Sequence, residues 1–187
     1  GIPAYRYHQA EQRLLLGEYE AARTAFADLK EYRDSPQRVL ESEYESAKSA
    51  MATGTLTSLK TAQDIFDSLK DFQDSATLSM QARYERAKTL RGSGEYEEAL
   101  QLFEEIKDYG DTQEQINITH YRWANNLMEN LRYQEAREKY LALNGYEDSV
   151  ALAEECIFKP AMTAFEDKDY ETALALFSQL PDRQEAQ

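Results

Sequence analysis

The side chains of this chain that could do chemistry are two histidines, one cysteine and many carboxylates. His8 and His120 lie far apart in the chain, in the first and fourth of the repeat units described below. Because stacked helices lie about 8–10 Å apart, we expect more than about 20 Å between the two imidazoles. They are therefore not expected to share a metal ion or to relay protons. Cys156 has no histidine nearby in sequence, so we expect a buried, inert thiol.

No sequence motif of a known catalytic or phosphate-binding site occurs in the chain. A glycine-rich phosphate loop, a GxSxG elbow and an HExxH helix are all absent from the sequence. The 35 acidic residues are so numerous that pairs of carboxylates carry no information about acid–base catalysis. The sequence therefore predicts a protein that is not an enzyme, with no catalytic residues, no cofactor site and no metal site.

The chain is strongly acidic, with a formal net charge of -14. Such a charge repels phosphate backbones, so a nucleic-acid partner is not expected. No apolar stretch approaches the roughly 18 residues of a membrane-spanning helix, so this segment is not expected to insert into a membrane. A protein or peptide partner is compatible with the composition.

Bulky and small side chains recur together along the whole chain. An aromatic residue stands three positions before an alanine in five places, at Tyr7, Tyr44, Tyr84, Tyr121 and Phe158, with alanines at Ala10, Ala47, Ala87, Ala124 and Ala161. A second alanine precedes a second aromatic by four positions, at Ala22, Ala62, Ala99, Ala136 and Ala173. The period is 37 residues, except for three extra residues between Thr53 and Ser58, which we expect to lengthen a turn. Of 13 tyrosines, only Tyr5 lies outside the pattern.

The spacings within a unit are helical. Tyr19, Ala22 and Phe26 lie on one stripe of a helix with 3.6 residues per turn. Gly17-Glu18, Gly94-Glu95 and Lys168-Asp169 precede such helices and predict tight turns. Small alanines let two helices cross closely. Each unit is therefore predicted to be a helical hairpin, with units at 1–33, 34–73, 74–110, 111–147 and 148–187 in one domain, 1–187.

A short signature joins consecutive units. It reads Tyr32-Arg33-Asp34-Ser35, Phe72-Gln73-Asp74-Ser75, Tyr109-Gly110-Asp111-Thr112 and Tyr146-Glu147-Asp148-Ser149. Because Asp is a preferred N-cap residue, we interpret these aspartates as helix caps. Gln37 and Glu114 stand where a capping box would place them. The aromatic residue is expected to fill the apolar gap between hairpins. A catalytic Asp-Ser is the alternative, which four copies at helix starts disfavour.

The stretches Gly17-Glu18-Tyr19-Glu20-Ala21-Ala22 and Gly94-Glu95-Tyr96-Glu97-Glu98-Ala99 resemble the second half of a tetratricopeptide repeat (TPR). The resemblance covers essentially the whole chain. It departs from the family in lacking the first-helix Trp, in replacing the terminal Pro by the Asp-Ser joint, and in its period. This variant resembles repeats of bacterial proteins, particularly of the Firmicutes. There such arrays often follow a membrane anchor, which would place the chain outside the cytoplasm; a cytoplasmic location is the alternative.

The resemblance implies an all-α, right-handed α-solenoid of five hairpins, about ten antiparallel helices, whose first helices line a concave groove. Stacking of hairpins also follows from the need to bury apolar faces. Carried over to this chain, the groove positions with a protein or peptide partner are Glu41, Lys48, Met51, Gln81, Lys88, Arg91, Ile118, Asn125 and Met128.

Lys48, Lys88 and Asn125 share one repeat position and form a polar ridge that could receive an acidic tail or a carboxylate. The family's carboxylate-clamp pattern is not matched, because a tyrosine fills one of its positions. Ordinary solvated side chains are the alternative interpretation of this ridge.

Two further features suggest contacts outside the groove. Trp123 has mostly polar counterparts, so it is either an exposed partner-binding residue or packs against the next hairpin. The last unit ends at Leu180-Pro181-Asp182-Arg183 without the Asp-Ser joint. Because repeat arrays need polar caps, self-association through an uncapped end is the alternative function. In that case the chain would be a structural spacer of a membrane-anchored cell-envelope protein.

Overall fold

The computed structural model describes residues 1–181. Within these residues the chain forms ten α-helices and no strand. The first helices of the hairpins are α1 (Ile2–Leu15), α3 (Ser35–Thr53), α5 (Ser75–Gly92), α7 (Thr112–Glu129) and α9 (Ser149–Glu166). The second helices are α2 (Tyr19–Asp28), α4 (Leu56–Leu69), α6 (Tyr96–Glu105), α8 (Tyr133–Ala142) and α10 (Tyr170–Phe177). The predicted last unit extends to residue 187, so its end lies outside the described residues, as do Asp182 and Arg183.

The helices pack in chain order. Extensive contacts run from each helix to the one before it and the one after it, all the way from α1 to α10. A hairpin thus contacts only its neighbours, which is the packing of a repeat array and not of a closed bundle. The prediction of an all-α helical-repeat solenoid is confirmed.

The repeated alanines form the closest contacts of this core. Nine of the ten alanines of the repeat have no exposed surface, and the tenth, Ala173, is 2% exposed. An alanine on each arm lets the two helices of a hairpin approach closely. The second-helix aromatics Phe26, Phe66 and Phe103 are also fully buried beside them.

Three aromatic rings per unit pack edge to face. In the third unit the ring of Tyr84 lies 5.9 Å from Phe103 and 5.8 Å from Tyr109 between ring centroids. The first, second and fourth units repeat this trio with the same T-shaped geometry. The aromatic residue of each joint therefore packs on its own hairpin, as an extension of the core.

Most of the hairpin turns end the first helix in the same way. Residues at φ values of +63° to +82° follow the helix, and the next N–H donates to the carbonyl five residues back, as from Glu95 to Leu90 (2.9 Å). This is the Schellman arrangement. Gly17 and Gly94 take the left-handed conformation without strain, whereas Leu131 and Lys168 adopt it in spite of a side chain.

The three extra residues of the second unit do not lengthen a turn, so that expectation is wrong. Only Gly54 and Thr55 separate α3 from α4, and α4 starts three residues earlier in the repeat than the other second helices. The cause is local. Thr55 accepts the N–H of Ser58, whose hydroxyl accepts the N–H of Thr55, and this capping box starts the helix early.

The predicted side-chain caps at the joints are also wrong. Asp34, Asp74, Asp111 and Asp148 do stand at N-cap positions, but none of the four side chains accepts a capping hydrogen bond. The boxes with Gln37 and Glu114 are therefore not formed.

Three of these carboxylates bind a tyrosine of the preceding first helix instead. Tyr84 donates its hydroxyl to Asp111 (2.6 Å) and Tyr121 to Asp148 (2.5 Å). Tyr7 donates to Asp34 in the same way. We call these contacts the Tyr–Asp latches. Each spans 27 residues and ties one hairpin to the start of the next.

Candidate functional site

The exposed face of the first helices α3, α5 and α7, here called the first-helix side, carries a row of cations. Lys48 and Lys88 are exposed at one repeat position. Each ammonium lies over the tyrosine ring four residues earlier, 5.4 Å from the ring centroid of Tyr44 and 5.3 Å from that of Tyr84. Lys48 also reaches Glu45 at 3.9 Å, a weak surface pair. The two ammonium groups are thus held in matching places on neighbouring hairpins.

Arg122 continues this row and was missed in the sequence. It is exposed on α7 and has no ion pair within the part of the chain that is described. Arg122 lines a recess of about 550 Å³ together with Ile118, Asn125 and Asp148. Its position relative to Ala124 differs from that of Lys48 and Lys88 relative to their alanines, which is why a search at a single repeat position overlooks it.

The predicted groove residues of the second and third units are mostly committed to packing. Glu41 accepts from Arg38 (2.7 Å), which also reaches Glu11 on α1 (2.9 Å). This pair, with the bond to Glu41 as its main cause, raises the pKa of Arg38. Met51 packs against the core of its own hairpin. Gln81 is half-buried on α5.

Arg91 does not face a partner, and this prediction needs correction. Its side chain is 7% exposed and lies over the ring of Phe103 at 5.8 Å. The guanidinium donates to the side-chain oxygen of Gln115 (2.8 Å) and to Thr119 (3.3 Å) on α7. Burial lowers the pKa of Arg91. The long side chain reaches back under the next hairpin and fastens α5 to α7.

The fourth unit differs from the second and third at the lysine position. Asn125 accepts the hydroxyl hydrogen of Tyr140, which also contacts the sulfur of Met128 at 3.8 Å. Phe26, Phe66 and Phe103 fill the position of Tyr140 elsewhere and need no such partner. Asn125 therefore serves the core, and Met128 packs beside it. Ile118 remains half-buried at the recess of Arg122.

Trp123 lies away from the first-helix side, between second helices. Its ring stacks on Tyr96 of α6, with 6.1 Å between centroids and 11° between planes. The ammonium of Lys139 on α8 covers the ring at 3.3 Å from its centroid. Trp123 thus packs against the preceding hairpin and its own hairpin, and not against the next one as expected.

The chemically active side chains are scattered. Cys156 is 3% exposed, and burial raises the pKa of its thiol to about 11. His120 is half-buried, and burial lowers the pKa of its imidazole. Within residues 1–181, no three side chains of His, Cys, Asp or Glu come together in a way that could hold a metal ion.

Membrane-spanning segments were also sought. None of the helices in the described residues combines the length and the apolarity that crossing a membrane requires.

Comparison with known proteins gives a limited result. No protein-family model and no curated protein matches the chain. Among solved structures, it is similar to nearly identical TPR-like repeats ascribed to a kinesin light chain of Podosopora anserina. One crystal structure gives a TM-score of 0.30 at 16% identity over 94% of this chain and 92% of that one. A second, of a form with one substitution, gives 0.28 at 17% identity over 94% and 91%.

At these TM-scores the assignment of the fold depends on the helices and their packing in this chain. A helical-repeat scaffold is a class of structure commonly used for protein interaction. The class is stated here for the fold alone.

Proposed function

We propose that this chain is a non-catalytic scaffold that holds an acidic segment of a partner protein along its first-helix side. The observation that supports this most is the exposed row of Lys48, Lys88 and Arg122 in a protein with a net charge of -14. Most exposed cations of such a protein would be expected beside its many carboxylates. Two of these three instead lie over tyrosine rings, and the third lines a recess.

The geometry suits capture of carboxylates. A lysine held over an aromatic ring has fewer conformations to lose when it binds, so the entropic cost of pairing is lower. The guanidinium of Arg122 offers a forked donor that matches a carboxylate. A segment with carboxylates spaced along an extended or helical backbone could meet all three cations in turn.

The test is a selection from a random peptide library followed by titration of the selected peptides. We expect the native protein to enrich peptides rich in Asp and Glu, which bind saturably. A variant with Lys48→Glu and Lys88→Glu should lose at least tenfold in affinity, about 1.4 kcal/mol.

A matched control separates local contact from overall charge. Lys60→Glu with Lys107→Glu makes the same change in net charge at two other exposed positions. This control should bind the selected peptides with nearly native affinity. Equal losses in both variants, or selection of peptides without acidic residues, would contradict the proposal.

The second candidate function is end-to-end self-association, with the chain as a structural or spacer module. It is favoured by exposed apolar side chains on the last hairpin: Phe165 is 52% exposed, Tyr170 57% and Leu174 72%. In the first unit the counterpart of Leu174 is Arg23, which binds Glu43 of the next hairpin at 2.7 Å. This face is thus the one with which a hairpin contacts its successor.

Sedimentation equilibrium tests this candidate. If the last hairpin mediates association, the apparent mass should rise with concentration, and Leu174→Arg should abolish the rise. A mass that stays monomeric at all concentrations would exclude it. A position at the cell envelope behind a membrane anchor remains a prediction for either function.

A further inference from the structure

The repeat allows one interface between hairpins to be compared with the next. Between the third and fourth units, the indole of Trp123 lies between the ring of Tyr96 and the ammonium of Lys139. We call the space that this indole fills the ring slot. Its walls and its content can be followed to the equivalent positions 37 residues later.

Between the fourth and fifth units the walls remain but the indole is missing. Tyr133 takes the place of Tyr96, and Leu176 takes that of Lys139. Pro160 stands where Trp123 would be. A cavity of about 580 Å³ lies there, lined by Tyr133, Pro160 and Leu176 among others. The small pyrrolidine ring leaves unfilled much of the slot that an indole fills one unit earlier.

The polar groups at this cavity differ from those of the filled slot. Arg137 lines it, half-buried, where the third unit has Leu100. Within residues 1–181 the guanidinium of Arg137 has no hydrogen bond and no ion pair. By contrast, Arg132 at the same cavity is held by Glu135 at 2.6 Å. An arginine partly removed from water and without a counter-charge favours an anionic ligand.

Pro160 adds a second polar feature. It lies inside α9 and has no N–H, so the carbonyl of Cys156 lacks its helical donor. Cys156 also lines the cavity. A ligand with an N–H group, such as an indole, would suit this unpaired acceptor. Leu131, 70% exposed, adds an apolar rim.

We propose that this empty ring slot binds an aromatic side chain of a partner protein that has a carboxylate next to it. The ring enters between Tyr133 and Leu176, in the manner of Trp123 one unit earlier. The carboxylate pairs with Arg137. This site is separate from the first-helix side, so it does not depend on the function proposed above.

The test is a titration of the isotopically labelled full chain with short capped peptides, followed by NMR of methyl groups. The probe contains Trp-Glu; one control peptide contains Trp-Gln and another Ala-Glu. We expect saturable shifts of the Leu131, Ile157 and Leu176 methyls with Trp-Glu. Binding should be about tenfold weaker with Trp-Gln, the factor for one lost charge-assisted hydrogen bond. Ala-Glu should cause no shift.

Two variants use residues that the repeat itself supplies. Pro160→Trp places the residue of the fourth unit in the slot and should abolish binding while the circular dichroism spectrum stays helical. Arg137→Leu, the residue of the third unit, should weaken Trp-Glu about tenfold and leave Trp-Gln unchanged. Arg23→Leu removes an arginine at the same repeat position far from the slot and should bind like the native chain. It serves as the matched control.

Three outcomes would overturn the proposal. The first is equal binding of Trp-Glu and Ala-Glu, and the second is native binding by Arg137→Leu, which remains informative if Pro160→Trp fails to fold. The third is concentration-dependent dimerisation that Pro160→Trp abolishes, since a second copy of this chain would then occupy the slot.

Discussion

The Tyr–Asp latches can be tested with a pair of closely matched substitutions. Tyr121→Phe removes the hydroxyl that donates to Asp148 at 2.5 Å and keeps the ring, which packs edge to face on Tyr140 and Tyr146. Tyr44→Phe makes the same change at the same repeat position. The ring of Tyr44 has equivalent contacts, but its hydroxyl has no hydrogen bond within the described residues.

The expected loss follows from the kind of bond removed. A hydrogen bond to a charged acceptor contributes about 1.5–3 kcal/mol. The Tyr121 hydroxyl lies near solvent, and water can solvate the carboxylate once the hydroxyl is gone. We therefore expect Tyr121→Phe to lower the free energy of unfolding by about 1 kcal/mol. For a chain of this size that is a fall in Tm of about 2–4 °C. Tyr44→Phe should change it by less than about 0.5 kcal/mol.

Urea unfolding followed by circular dichroism measures both values, provided that the m-value stays constant. A double-mutant cycle with Asp148→Asn isolates the pair and should give a coupling energy of about 1 kcal/mol. If Tyr44→Phe destabilises as much as Tyr121→Phe, the hydroxyl contributes through packing and the latch is not a stabilising contact. Zero coupling in the cycle would lead to the same conclusion.

Three further predictions concern single positions. The pKa of Tyr84 is raised to about 12, first by burial and then by its bond to Asp111; the unfolded chain therefore ionises first, and stability present below pH 10 is lost up to about pH 12. Urea midpoints should fall less over this range in Tyr84→Phe, and an unchanged fall would contradict the shift. Lys168→Gly relieves a left-handed residue and should raise stability by about 0.5–1 kcal/mol in thermal unfolding; a decrease would show that the turn needs its side chain. Arg91→Ala should cost about 2 kcal/mol in urea without weakening peptide binding to the folded protein, and a loss of binding would return Arg91 to the site.

The sequence was sufficient to predict the hairpins because their signal is local. Ala22 and Phe26 mark one face of a helix by their spacing, and the same face recurs in every unit. The burial of all ten alanines follows from that regularity. Turn glycines such as Gly94 added the hairpin connection.

The joints could not be predicted from local rules. Asp111 stands at a helix start, where capping is the usual role of an aspartate, yet its carboxylate binds a tyrosine of the preceding hairpin. The constant separation of 27 residues between tyrosine and aspartate was a usable signal. The second unit breaks it, because its three extra residues increase the separation between Tyr44 and Asp74.

The candidate site was predicted in position but not in role. Repeat register placed Lys48 and Lys88 on the exposed first-helix face, where they are found. The same register could not show that Arg91 folds back onto Thr119, since a long side chain reaches well beyond its own position. Asn125 was misread because its partner, Tyr140, replaces the phenylalanine of other units.

The central functional claim is that a partner segment lies along the first-helix side of the second to fourth units. Its most direct test is NMR mapping of a selected acidic peptide on the isotopically labelled chain. We expect the largest shift changes at Lys48, Lys88 and Arg122. Shift changes concentrated on α4 and α6, or the absence of any saturable change, would contradict the account.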